Sequence, residues 1–316
     1  MKKQKLVKTF LQSNNIEFEQ NVWLKNYTNF KIGGKAKFMV FPSSVEQMAS
    51  VLEFVNSNQI KNFVLGAGTN ILCCDEGFDG VILNTKRLCG YKVCGTEIVA
   101  ECGLNLFKLN KICAENSLSG LEFSYGIPGS VGGAIYMNAG ISGKGVGDFA
   151  KTIKAFDGEK IVLLTKEQMD FGYRHSACKK LGLVVLEVTF SLAKGKRKSI
   201  TYEQNQLLKK RKNSQPYDMP CAGSVFKRLC DGEIAVSKMI DEMGLKGFSV
   251  GGAQISTKHA GFIVNNAQAT CKDVLDLVKY IRKKVKSSFG YDLELEIELL
   301  GDDNDITGWL SHTYNI

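Results

Sequence analysis

Along residues 43–58, SSVEQMASVLEFVNSN, apolar side chains recur at Val45, Met48, Val51, Leu52 and Val55. That spacing follows one face of a helix, and Ser43 with Glu46 three residues later predicts a capping box at its start. NLFKLNKICAENSL repeats the period with Leu106, Leu109 and Cys113. TCKDVLDLVKYIRKKVKSSFG carries the stripe Val274, Leu277, Val278, Ile281 and Val285 behind a Thr270 cap, a core-facing helix. The N-terminal stretch and GEIAVSKMIDEMG also read as helices, and TYEQNQLLKKRKNSQPYDMP as a helix running into a proline-containing linker near 212.

Elsewhere the period shortens to that of strands. FKIGGKAKFMVFPSS predicts strand, glycine turn, strand; NFVLGAGTNIL predicts a short buried strand ending in a glycine turn. GVILNT, EIVAECG, KIVLLT and LVVLEVTFSL are further strands. In LELEIELLG, Leu293, Leu295, Ile297 and Leu299 alternate with Glu294, Glu296 and Glu298, the pattern of a half-buried strand. Three carboxylates on one face repel each other, so they form a solvent face or one is aimed at a site. The β–α–β order ahead of GAGTN implies a small α/β unit with a phosphate-sized opening at a strand end.

Composition narrows the class. With 316 residues, 44% hydrophobic and 23% charged, the chain has the make-up of a soluble globular protein with several subdomains. Glycine (32) far outnumbers proline (4), which favours tight turns over linkers. The net charge of +9 comes from 41 Lys+Arg against 32 Asp+Glu, partly in KGKRKS (194–199) and KKRK (209–212). It reads first as solvated basic surface and second as attraction for an anionic small molecule such as a nucleotide diphosphate. Without aromatics interleaved among the basic residues, and without an RNP, zinc-finger or helix-turn-helix signature, nucleic acid is the weaker reading and none is expected as a partner.

The stretch MKKQKLVKTFLQSNN has no unbroken apolar core, since Lys8 interrupts it, and no segment approaches a membrane span. The ten cysteines therefore read as reduced thiols in a cytosolic setting, small buried residues with Cys73–Cys74 as the reactive exception. There is no C-x-x-C, and only His175, His259 and His312 could join a cluster, so no metal site is expected.

No G-x-x-x-x-G-K-[ST] or G-x-G-x-x-G motif is present. Two glycine turns remain, GAGTN (66–70) and PGSVGGA (128–134), within a chain that places nine of its 32 glycines between 120 and 147. Exposed N–H groups in such turns cradle anions, and two turns together suit a pyrophosphate. CAGSVFKR (221–228) has three readings: a nucleophilic Cys221 thiol, a nucleophilic Ser224 hydroxyl, or a turn without chemistry. The context G-S-V is not G-x-S-x-G, which makes hydrolysis the weaker reading.

Seven segments in order settle on a family: NYTNFKIGGKA, VLGAGTNIL, GLEFSYGIPGSVGGAIYMNAG, FGYRHS, CAGSVFKR, GLKGFSVGGAQISTKHAGFIVN and LELEIELLG. Through them the chain resembles the UDP-N-acetylenolpyruvoylglucosamine reductase (MurB) family. No insertion follows Tyr173, which resembles the shorter subgroup lacking a substrate-covering Tyr loop. The resemblance implies an α+β fold: a two-subdomain FAD-binding module of the PCMH/vanillyl-alcohol-oxidase type plus an α/β substrate-binding C-terminal domain. The expected divisions are 1–85 and 86–211 for the two FAD-binding subdomains, with about 30–195 as the PCMH-type part, and 212–316 for the last domain.

The resemblance also implies FAD and NADPH as cofactors and UDP-N-acetylglucosamine enolpyruvate as substrate, in a cytoplasmic monomer without membrane insertion. It implies flavin contacts at Gly66, Ala67, Gly68, Thr69, Asn70, Gly129, Ser130, Gly132, Gly133 and Asn138. Arg174 would clamp the substrate carboxylate, Ser224 would give a proton to the enolate carbon, and Glu296, picked out by its register to Gly301, would relay charge and protons. Tyr173, Lys246, His259 and Arg228 would meet the nucleotide-sugar. Arg228 stands where some relatives have Asn, and Ser214 where relatives often carry a basic residue. Two alternatives stand beside this reading. One is another FAD-dependent alcohol or sugar oxidase of the superfamily, for which no flavin-tethering His or Cys pattern is matched. The other is a binding protein without chemistry, opposed by Arg174, Ser224 and Glu296 occurring together.

Overall fold

The computed structural model describes residues 2–141 and 143–301; His312 lies outside them. The chain packs as two compact units, each assembled from separated segments. One takes the residues up to Gln20, Phe38–Ala67 and Gly80–Lys210, and the other Asn21–Lys37, Gly68–Asp79 and the chain from Arg211 onward.

In the first unit the helix Val45–Ser57 buries the five apolar residues of its stripe. Its cap is Ser44, whose side chain accepts the Gln47 N–H at 3.2 Å, while Gln47 Oε1 accepts from the Ser43 N–H and hydroxyl, each at 2.9 Å. The cap thus falls one residue later than the Ser43–Glu46 box, because a start at Ser44 turns Val45 inward in the first turn. This helix joins the strands Lys35–Phe41 and Asn62–Leu65, the expected β–α–β order. They belong to a four-stranded sheet ordered Glu17–Trp23, Lys35–Phe41, Phe78–Asn84, Asn62–Leu65, with the last two parallel. An antiparallel five-stranded sheet follows, ordered Ile161–Thr165, Ala150–Phe156, Val184–Ser191, Glu97–Glu101, Tyr91–Cys94. The helix Leu106–Glu115 buries Leu106, Leu109 and Cys113 as its periodicity requires.

FKI, expected as a strand, is irregular instead. Phe30 and Ile32 are buried, but Lys31 between them has φ 58°, which no strand allows. Asn29 and Gly34 each donate one N–H, to the carbonyls of Gly68 and Cys74 at 2.9 Å.

The second unit carries an antiparallel sheet ordered Cys221–Ser224, Phe262–Asn265, Ala253–Ile255, Ser249–Val250. The helices Val236–Glu242 and Cys271–Phe289 supply its core, with Val274, Leu277, Val278, Ile281 and Val285 all buried. Thr270 caps the long helix in a reciprocal box with Asp273. Asp75 adds a second cap, accepting the N–H groups of Cys271 and Lys272 at 2.9 and 3.2 Å.

LELEIELLG is not one continuous strand. Only Glu298–Leu300 is regular, parallel to Ile71–Cys73, while Leu295 makes a single antiparallel bridge to Phe226. The chain changes partner between the two, so its alternation serves two neighbours in turn.

All ten cysteines are free thiols. Cys73 and Cys74 are buried rather than poised to react, and burial pushes the Cys73 thiol well above its usual range. The exposed thiols are Cys89, Cys94 and Cys230. Among the described residues no helix is long and apolar enough to cross a membrane, and no group of three His, Cys, Asp or Glu is arranged to hold a metal.

Candidate functional site

Within the first unit the two glycine turns meet. A side-chain carbon added at Gly66 would stand 2.4 Å from the Ser130 hydroxyl, so only glycine permits that approach. Ser130 caps the short helix Val131–Tyr136. The N–H groups of Val131 and Gly132 are committed to the carbonyls of Leu104 and Cys102 at 2.8 and 2.7 Å, and that of Gly133 reaches Ser130 Oγ at 3.4 Å. This leaves Gly129 and Ser130 as the donors with which the turn can face an anion. Gly132 is glycine for packing, since a Cβ there would meet Cys102 Cβ at 2.8 Å.

Asn138 spends its side-chain amide inside the protein. Nδ2 donates to the Gly172 carbonyl at 2.8 Å and Oδ1 accepts the Gly147 N–H at 3.0 Å, with φ 43°. These bonds tie the glycine-rich segment to the Tyr173–Arg174 turn. Arg174 has φ 50°, a left-handed backbone that costs a non-glycine residue roughly 1 kcal/mol. Its guanidinium lies 5.2 Å from the Tyr173 ring centre and reaches the Gly140 carbonyl only at 3.4 and 3.5 Å. That geometry holds the guanidinium over an aromatic face, and its planar fork is the shape that meets a carboxylate in two bonds.

Within the second unit, Ser224 ends the strand Cys221–Ser224 opposite Phe262, after Gly223 at φ 80°. A side chain at Gly223 would meet nothing within 4 Å, so glycine is required there by backbone angle rather than by space. Val225 accepts the Glu296 N–H at 2.8 Å, which brings Ser224 and Glu296 onto neighbouring stretches of chain. The Glu296 carbonyl accepts from Asn70 Nδ2 at 2.9 Å. Gly68 has φ 66° and the Tyr27 carbonyl 2.2 Å from where a Cβ would stand, so the second half of the GAGTN turn is also glycine-dependent.

Lys246 pairs with Asp241 at 2.6 Å. The sequence reading missed Asp241, although its place in the last turn of Val236–Glu242 puts it five residues ahead of Lys246. His259 Nδ1 accepts the Gly261 N–H at 3.1 Å, which assigns the ring proton to Nε2 in the neutral form. Burial pulls the imidazole below its ordinary range, and the neighbouring Lys246 charge adds to that. Arg228 turns back on its own loop, donating to the Gly232 and Glu233 carbonyls, the latter at 2.7 Å. Thr69 and Gly68 continue the turn, with Gly68 accepting from Asn29.

A relative from Clostridium novyi, named UDP-N-acetylenolpyruvoylglucosamine reductase, is 40% identical over 290 residues, 92% of this chain and 94% of its own length. The chain belongs to the UDP-N-acetylenolpyruvoylglucosamine reductase family. A relative of the same name from Pseudothermotoga lettingae is 46% identical over 87% of this chain and 95% of its own. The solved structure of the reductase from Thermus caldophilus superposes with a TM-score of 0.77 at 32% identity, covering 90% of this chain and 98% of that one. The model of the family's C-terminal domain matches residues 215–300, a span that holds Ser224, Lys246, His259 and Glu296. An FAD binding domain model matches 36–158 and spans both glycine turns. The residues present fit that cofactor, because the two glycine turns lie against each other at Gly66 and Ser130, where a Cβ at 66 would stand 2.4 Å from Ser130 Oγ, and the main-chain N–H groups of Gly129 and Ser130 are donors suited to a pyrophosphate. Family membership with an FAD binding domain confirms the α+β flavoprotein fold expected from the sequence.

Proposed function

We propose that the protein is an FAD-dependent, NADPH-oxidising reductase that converts UDP-N-acetylglucosamine enolpyruvate to UDP-N-acetylmuramate for peptidoglycan, acting as a cytosolic monomer. The observation that carries this reading is the similarity to a family reductase across 92% of the chain. FAD would be held by the main-chain donors around Gly66–Asn70 and Gly129–Ser130, and bound flavin reduced by NADPH supplies a hydride to the terminal vinyl carbon.

The chain's own residues do the rest. Hydride addition leaves enolate-like charge on the substrate carboxylate, and a permanently charged guanidinium is suited to hold it. Arg174, which lies over the Tyr173 ring and donates to the Gly140 carbonyl, takes that role. The adjacent carbon then needs a proton, which Ser224 delivers from its hydroxyl. Glu296, whose main chain is bound to Val225, steadies charge and returns a proton to that site. Lys246 and the Nε2–H of His259 are donors suited to the diphosphate of the nucleotide-sugar, with Tyr173 lining the carboxylate end. Arg228 is engaged by its own loop, and its part is to shape the chain after Ser224.

The test is anaerobic mixing of the NADPH-reduced protein with UDP-N-acetylglucosamine enolpyruvate. Reoxidation of the flavin with formation of UDP-N-acetylmuramate is expected; no reoxidation by that substrate sinks the reading.

A further inference from the structure

In a regular antiparallel pair, a residue that accepts an N–H returns its own N–H to the same partner. Val225 breaks that exchange. It accepts from Glu296 at 2.8 Å but sends its own N–H to the Gly261 carbonyl at 2.9 Å. The Glu296 carbonyl therefore lacks its ladder donor, and a part-buried carbonyl left unmet carries a free-energy penalty. Asn70 Nδ2 supplies the donor at 2.9 Å, from 226 residues away in sequence. The Asn70 carbonyl in turn accepts the Glu298 N–H at 2.9 Å. Asn70 thus grips the chain on both sides of Ile297, which is 3% exposed and anchored in the core.

The grip falls where LELEIELLG leaves its antiparallel bridge at Leu295 and joins Ile71–Cys73 in parallel at Glu298. Glu296 sits at that change of partner, where neither neighbouring strand supplies the next rung. Asparagine meets the need with its short amide. Aspartate has its shape without the N–H, and alanine lacks both.

We propose that Asn70 is a positioning residue whose side-chain amide, donated to the Glu296 carbonyl, fixes the main chain from which the Glu296 carboxyl is presented. The proposal rests on the reductase reading of Glu296. It gives Asn70 a role in its side chain that is separate from any contact its main chain makes to the cofactor.

The test uses holoenzyme and compares Asn70→Asp, Asn70→Ala, Glu296→Gln and the double variant Asn70→Asp/Glu296→Gln, following each half-reaction anaerobically by stopped flow. Both Asn70 variants are expected to slow oxidation of the reduced enzyme by the enolpyruvyl nucleotide about tenfold more than they slow reduction by NADPH. They should also displace the pH profile of that oxidation. In the Glu296→Gln background the further loss from Asn70→Asp should shrink to within about twofold, because residues acting through one another are not additive. Equal slowing of both half-reactions overturns the proposal, as does an undiminished loss in the Glu296→Gln background. Loss of FAD from both Asn70 variants also overturns it, since the side chain would then serve the cofactor turn. A wild-type enzyme that the nucleotide fails to reoxidise would instead sink the reductase reading, and the two failures are thereby told apart.

Discussion

The Glu296 N–H donates to the Val225 carbonyl at 2.8 Å, one residue beyond Ser224. The hydroxyl and the carboxyl proposed to handle protons are therefore carried by neighbouring stretches of the same chain that share a hydrogen bond. Removing either side chain leaves that main-chain bond in place. Ser224→Ala should keep reduction by NADPH within about twofold and slow reoxidation by substrate about a hundredfold or more. Glu296→Gln should follow the same split. Stopped-flow traces of the two half-reactions check this, and equal slowing of both would remove the proton-donor role from Ser224.

The approach of Gly66 to Ser130 yields a second prediction. Alanine at 66 would place a methyl 2.4 Å from Ser130 Oγ, so the hydroxyl must swing away and give up its bond to the Gly133 N–H in the second turn. Gly66→Ala should weaken FAD binding about tenfold or more, roughly 1.4 kcal/mol, without unfolding the protein. Released FAD per chain, read beside far-ultraviolet circular dichroism, measures both. An alanine variant that keeps a full complement of flavin contradicts the cradle.

His259 supplies a pH dependence. Burial keeps the native imidazole neutral where the unfolded chain, at its ordinary 6.5, takes up a proton. The unfolded state then binds more protons, so stability rises with pH. Acidification below about 6.5 should cost stability until the native imidazole itself titrates, after which the loss levels off. His259→Gln should flatten that limb of the stability profile. Proton NMR of the ring should find its midpoint below 6.5, and a midpoint above that value would reverse the sign.

Thr270 tests the second unit's scaffold. Its hydroxyl accepts the Asp273 N–H at 3.1 Å, and Asp273 returns the bond to the Thr270 N–H at 2.9 Å. Thr270→Ala should cost about 1 kcal/mol of stability, as lost caps do. The ratio of the two half-reaction rates should stay as in the wild type, because the helix carries no assigned chemistry. Denaturant titration and the stopped-flow ratio together check it.

Periodicity alone determined the helices Val45–Ser57, Leu106–Glu115 and Cys271–Phe289. The stripes at Val45–Val55 and Val274–Val285 are buried as their spacing required, because a helix repeats its apolar face locally and needs no distant partner to declare it. The glycines of GAGTN and PGSVGGA likewise announced close approach in the sequence itself. Seven ordered motifs were enough to indicate the family. Tertiary structure alone decided what the alternation in LELEIELLG serves: period two marks extended chain but does not name its neighbours, and here the neighbour changes from Phe226 to Ile71. The same holds for Cys73–Cys74, whose reactivity is set by burial, and for Asn138, whose amide is consumed by Gly172 and Gly147. Asn70 shows the reason most directly. Its amide answers a carbonyl 226 residues away, left open because Val225 turned to Gly261, and no local pattern records a hydrogen bond that another strand declines to make.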